Sequence, residues 1–176
     1  MKTVKIAIIA IFCALTLGTD YALAGVPNVK LMDLIVFIGG FLFGPIVGSS
    51  IGIFSWFIYG SINPNGSPDP RIWVATMLAE SVYGIVGGLL GKALVSTNFS
   101  SQRLRLSVLF ATMGFLPTVL YDLITNTVYA SVFGQPVIVA IFAGALFAVV
   151  HEGANFLIFG ILSVPTIAAL RKVVKG

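Results

Sequence analysis

One cysteine, one histidine and very little charge each close off a class of function. A lone Cys13, inside an apolar run, cannot form a disulfide within the chain and reads as a small buried hydrophobe. His151-Glu152-Gly153-Ala154-Asn155 begins like the H-E-x-x-H zinc motif, but Asn155 stands where a second histidine is required. With no other histidine to complete a ligand set, no metal site and no zinc hydrolase follow. Charged residues make up 9% of the chain, against roughly 25% in soluble domains, so a soluble catalytic domain is excluded. No basic patch interleaved with aromatics offers a nucleic-acid surface. No phosphate-binding P-loop or serine nucleophile elbow is present, so energy for any active process has to come from a partner or an ion gradient.

What the 176 residues do contain is apolar sequence: 58% hydrophobic, with a mean hydropathy of +1.06. Apolar segments at about 4–24, 31–43, 46–60, 72–95, 104–130 and 138–170 predict an all-α integral membrane protein, a compact bundle of six transmembrane helices in one membrane domain, 1–176. Gly44-Pro45 separates two short segments that could instead be one kinked helix. Charge arbitrates. With six helices, eight of the ten basic residues share the side of the termini, leaving only Lys30 and Arg71 opposite. The positive-inside rule then puts both termini in the cytoplasm. The loop "SINPNGSPDP" falls outside, and its Asn65-Gly66-Ser67 sequon reads better as a turn than as a glycosylation site.

The first 24 residues allow two readings. Lys2 and Lys5, an apolar run and Ala22-Leu23-Ala24 match a secretory signal peptide, and the same letters make a first membrane helix. Ala10, Ala14 and Gly18 line one face of that helix. Such a stripe serves close packing, either within the chain or against a second protein. Gly40, Gly44, Gly48 and Gly52, then Gly84, Gly88 and Gly91, form further stripes expected to pack internally.

Ionisable residues at membrane depth are functional candidates by default. Here they are Glu80, Asp122, His151 and Glu152, with Asn126 and Asn155 beside them. Helical spacing groups Trp73, Met77, Glu80 and Tyr83 on one face, Asp122 with Asn126 on another, and His151, Glu152 and Asn155 on a third. Converging, these faces make either a substrate-binding pocket open to the outside, suited to a small hydrophilic molecule with a ring or positive charge, or an interhelical hydrogen-bond network.

Six helices in under 200 residues, Ala10-x-x-x-Ala14, "VPNVKLMDLIVFIGGFLFGPIVGSSIGIF" at 26–54 and the "NPNGSP" loop together resemble the substrate-binding S component of an energy-coupling factor (ECF) vitamin transporter. The resemblance covers nearly the whole chain. It implies a non-enzymatic subunit of an ABC-type importer in the cytoplasmic membrane that captures a water-soluble vitamin or precursor from outside. It implies as partners a membrane coupling subunit and two ATPases that use the ATP, with no cofactor in this chain. Family members are thought to topple in the membrane to release substrate, and the loop after helix one, here 25–31, often closes over it. The coupling contact carries over to Ala10, Ala14 and Gly18, which requires that residues 1–24 be retained. The Met-x-His start of the nickel and cobalt members is missing from Met1-Lys2-Thr3, so a metal is not the expected substrate. The outer-half carboxylates lean toward a cationic or amine-bearing substrate. Two other functions compete: a self-sufficient cation-coupled carrier using Asp122 and Glu152, and a membrane assembly protein whose polar groups only tie helices together.

Overall fold

The structure, a computed structural model, describes residues 2–63, 66–99 and 101–175. Among them are six helices and no strand: α1 (Lys2–Ala22), α2 (Met32–Phe43), α3 (Pro45–Ser61), α4 (Pro70–Ala93), α5 (Arg103–Phe133) and α6 (Val137–Lys175). Helices α1, α4, α5 and α6 are long and apolar enough to cross a membrane. The 12 residues of α2 rise only about 18 Å.

Gly44 ends α2 with φ 95°, a conformation that favours glycine, and Pro45 starts α3 at a position where its missing N–H is not needed. The chain reverses there. A Cβ on Gly48 would lie 2.5 Å from the Gly40 Cα, an approach impossible eight residues along one continuous helix. Two short helices, not one kinked helix, therefore flank Gly44.

Small residues then decide the packing of α4. Gly84 meets the backbone of Gly40 and Gly48, Gly87 and Gly91 meet the carbonyls of Phe37 and Phe41, and Gly88 meets Pro45. Phe37 and Phe41 meet Gly87 and Gly91 in the same order along both helices, so α2 and α4 are parallel, while Pro45 and Gly48 meet Gly88 and Gly84 in reverse order, so α3 is antiparallel to α4. The glycine stripes of the second to fourth segments thus pack internally except at Gly44, which makes the turn and has no neighbour within 4 Å of an added Cβ. Aromatic rings fill the space beside this seam: Phe37 packs edge-on to Phe110 and Phe159, joining α2 to α5 and α6.

Helix α1 runs parallel to α3. Thr16 Oγ1 donates to the Cys13 carbonyl, leaving the Ser55 hydroxyl to donate to Thr16 across 2.7 Å, and Tyr21 donates to the Ile62 carbonyl. The long helices α5 and α6 pack on each other, joined by a short turn whose Gly134 is left-handed. At the opposite end of the bundle, Arg171 donates to the Leu94 carbonyl and lies over the Phe99 ring. Five alternations bring the α1–α2 segment, the α3–α4 loop and the α5–α6 turn to one end. Asn65 of the sequon lies outside the described residues, while Gly66 beside it has φ 95° and closes a turn onto the Asn63 carbonyl.

Candidate functional site

Asp33 lies in the first turn of α2, an apolar helix with no other ionisable residue. Burial there requires partners, because an unpaired carboxylate in an apolar interior is strongly unfavourable. Its Oδ2 receives the Asn155 Nδ2 at 2.6 Å and faces His151 Nε2 at 2.9 Å. The other ring nitrogen of His151 faces Asp122 Oδ1 at 3.1 Å. Three helices are thereby joined through one imidazole. A ring bonded at both nitrogens to carboxyls is either an imidazolium between two carboxylates or a neutral ring with one carboxyl protonated. Both arrangements hold the same protons and a net charge of −1.

Below this bridge the hydroxyls of Thr118 and Tyr83 and the Asn155 amide nitrogen are all bonded, while Asn155 Oδ1 has no partner among the described residues. Thr118 spends its one proton on the Gly114 carbonyl at 2.6 Å, so it accepts from Asn155 at 2.7 Å and from the Tyr83 hydroxyl at 2.7 Å. The network fixes the rotamers of Asn155 and Asp33, and through them His151. Hydrogen bonds to charged groups contribute roughly 1.5–3 kcal/mol each, enough to hold such a chain of contacts in one geometry.

Above it is a cavity of about 320 Å³, into which α2, α3, α4, α5 and α6 all contribute. Asp33, Asp122, His151, Asn126 and Thr76 supply polar groups, and Trp56 and Tyr121 supply aromatic walls. Asp122 Oδ2 has no hydrogen-bond partner among the described residues. The Trp56 indole is held by its Nε1, which donates to Glu80 Oε2 at 3.2 Å, and by edge-on packing against Tyr59. Asn126 Nδ2 donates to the backbone carbonyl of Asp122 one turn back at 2.8 Å, which fixes its side chain in the cavity wall.

The segment between α1 and α2 reaches across this end. Asn28 adopts φ 55°, which asparagine tolerates better than most residues, and its Nδ2 donates to the Phe147 carbonyl of α6 at 3.0 Å. Lys30 places its ammonium 4.4 Å from the Trp56 ring centre and 5.0 Å from that of Tyr59, with Asp20 of α1 at 3.9 Å. A second cavity of about 320 Å³ lies on the far side of Lys30 and Trp56 and is bounded by Asp20, Tyr59 and Asn63.

The residues singled out from sequence divide into three groups. Asp122, Asn126 and His151 line the cavity. Asn155, Tyr83 and Glu80 are buried and act on it through others: Asn155 and Tyr83 from below, Glu80 by holding Trp56. Trp73 and Glu152 do not line it. Trp73 stacks on Phe57 and donates to the Trp56 carbonyl, toward α3, and Glu152 is half-buried on another side of α6 from His151. Sequence reasoning missed Asp33, Lys30, Trp56 and Tyr121. For Asp33 a signal existed, a single acid opening an otherwise apolar helix.

The small residues of α1 lie elsewhere. Helix α1 packs inward through Cys13, Thr16 and Asp20, while Ala10, Ala14 and Gly18 are exposed. Ala10 and Ala14 line an apolar groove with Ile6, Phe54 and Ile58, and among the described residues no other helix or loop comes within 4 Å of a Cβ placed on Gly18.

No curated protein and no solved structure matches the chain. The family described as the substrate-specific component of ECF transporters matches residues 4–170, which span all six helices apart from the first two residues of α1 and the last five of α6, and include the cavity and the groove on α1. With that span matched, the chain belongs to the ECF transporter substrate-specific component family and is a membrane-embedded transport subunit.

Proposed function

We propose that the protein captures a small water-soluble vitamin or precursor from outside the cell and delivers it inward as the specificity subunit of an ECF-type ABC importer. The observation that carries this reading is the 320 Å³ cavity, within the size range of small-molecule sites, in which polar groups of several helices converge between aromatic walls. Asp33, Asp122, Asn126 and His151 would hold the substrate directly, with Asn155, Tyr83 and Glu80 as positioning residues. Trp73 and Glu152 have no role in this scheme. The segment 25–31 would cover the bound molecule.

The orientation that fits has six membrane passes, both termini in the cytoplasm of the plasma membrane and the cavity facing outward. Its support is the distribution of charge: eight of ten basic residues belong to the end of the bundle away from the cavity. A membrane coupling subunit would dock on Ala10, Ala14 and Gly18, whose exposure leaves room for close helix contact. Two partner ATPases would supply the energy from ATP. Residues 1–24 would be retained, since α1 packs on α2 and α3 and carries that groove.

Mass spectrometry of the purified protein tests this directly, by intact mass and by identification of any small molecule released on denaturation. A full-length mass with a bound vitamin-like compound is the expected result. A mass lacking residues 1–24, or a protein that neither carries nor is stabilised by any vitamin, would overturn it.

A further inference from the structure

Three carboxyl groups, Asp20, Asp33 and Asp122, line the two cavities at this end of the bundle, against two basic groups, Lys30 and His151. The His151 bridge carries a net −1, and Asp122 Oδ2 is left without a donor. Such a site lacks positive charge. One cation already responds to it: the Lys30 ammonium occupies the face of Trp56 and approaches Tyr59, a cation–π seat with Asp20 at its edge. Lys30 belongs to a connecting segment, its side chain is a quarter exposed, and Trp56 is held independently of it by Glu80. Asn28, Lys30 and Trp56 line both cavities, so moving the lysine side chain closer to Asp20, which lines the second, would free space at the Trp56 face in the first.

We propose that the cavity is built for a small organic cation, an amine or a cationic nitrogen ring, and that Lys30 is its built-in stand-in. The positive group of the ligand takes the Trp56 face with Asp33 and Asp122 beside it, and Lys30 moves to Asp20. This rests on the capture reading above and adds the charge of the substrate to it. Lys30 is then a competitor rather than an anchor, so its removal strengthens binding of a cation. An anion-binding site predicts the opposite.

The test uses the full-length chain in detergent, first shown by mass spectrometry to be free of co-purified small molecules. Three probes share a ring and size and differ in charge: benzylammonium, benzyl alcohol and benzoate. The expected result is a concentration-dependent rise of the thermal unfolding midpoint with benzylammonium alone. That rise should be weakened in Asp122→Asn and should require about two- to fivefold less probe in Lys30→Met, the range of one cation–π contact. Benzoate stabilisation lost in Lys30→Met would overturn the proposal and make Lys30 an anion anchor in a capture site that still stands. Equal stabilisation by benzyl alcohol and benzylammonium would overturn it in favour of ring recognition. No shift with any probe would also overturn the cation assignment, while the capture reading would be decided separately by compounds co-purified from cells.

Discussion

Asp33 and His151, 118 residues apart in sequence, lie 2.9 Å apart in the structure and join the first turn of α2 to the middle of α6. Asp33→Asn preserves shape but removes the charge that His151 and Asn155 address. We expect a loss of about 2 kcal/mol in stability and of most ligand affinity. Thermal unfolding and ligand titration of the variant check both, and unchanged affinity would remove Asp33 from the binding apparatus.

Glu80 reaches the cavity only through the Trp56 N–H. Glu80→Gln retains an acceptor for that bond and should bind nearly as well as the parent. Glu80→Leu loses it and should weaken binding about fivefold, the equivalent of one hydrogen bond of about 1 kcal/mol. Equal effects of the two substitutions would mean that charge at Glu80, rather than the position of Trp56, is what matters.

At Gly84 a side chain would run into the backbone of Gly48, whereas at Gly18 it would meet nothing. Gly84→Ala is therefore expected to cost about 3 kcal/mol or to prevent folding. Gly18→Ala should be neutral or stabilising by up to about 1 kcal/mol. Unfolding midpoints of the two purified variants decide the matter.

Ala14 is exposed in the apolar groove on α1, away from the cavity. Ala14→Leu should reduce co-purification of the coupling subunit and leave ligand binding intact. Loss of both together would show that the two surfaces are not separate.

Cys13 is the chain's sole thiol and is buried, so a Cys13→Ala background leaves a single introduced cysteine as the only reporter. In the proposed orientation Ser67→Cys should react with a membrane-impermeant reagent added to whole cells, and Gln102→Cys should react only after permeabilisation. The reverse pattern would invert the protein in the membrane.

The sequence was most legible where local chemistry decides. Gly44-Pro45 marks the reversal because one residue adopts positive φ and the next is suited to the first position of a new helix. Asp122, Asn126 and His151 were recognisable as polar residues in apolar helices. Glu152 was grouped with His151, yet adjacent residues point about 100° apart around a helix, so one facing the cavity turns the other away. Asp33 escaped notice because an acid in a first helical turn is ordinary, favoured by the helix dipole. The α1–α2 segment, tied by Asn28 to Phe147 119 residues away, shows that this helix end lies under cover. Trp56, Tyr121 and Lys30 converge through topology, which no spacing along one helix reveals.

The glycine seam among α2, α3 and α4 also constrains how this protein can vary. Gly40, Gly48 and Gly84 touch backbone to backbone, so no neighbouring side chain can shrink to make room for a substituent. Every single-nucleotide change that replaces a glycine codon's residue adds at least a Cβ. Drift at these positions has no permitted first step, whereas the cavity above them is built from side chains that can be exchanged one at a time. The scaffold is locked at the level of the gene while its specificity stays free to diverge.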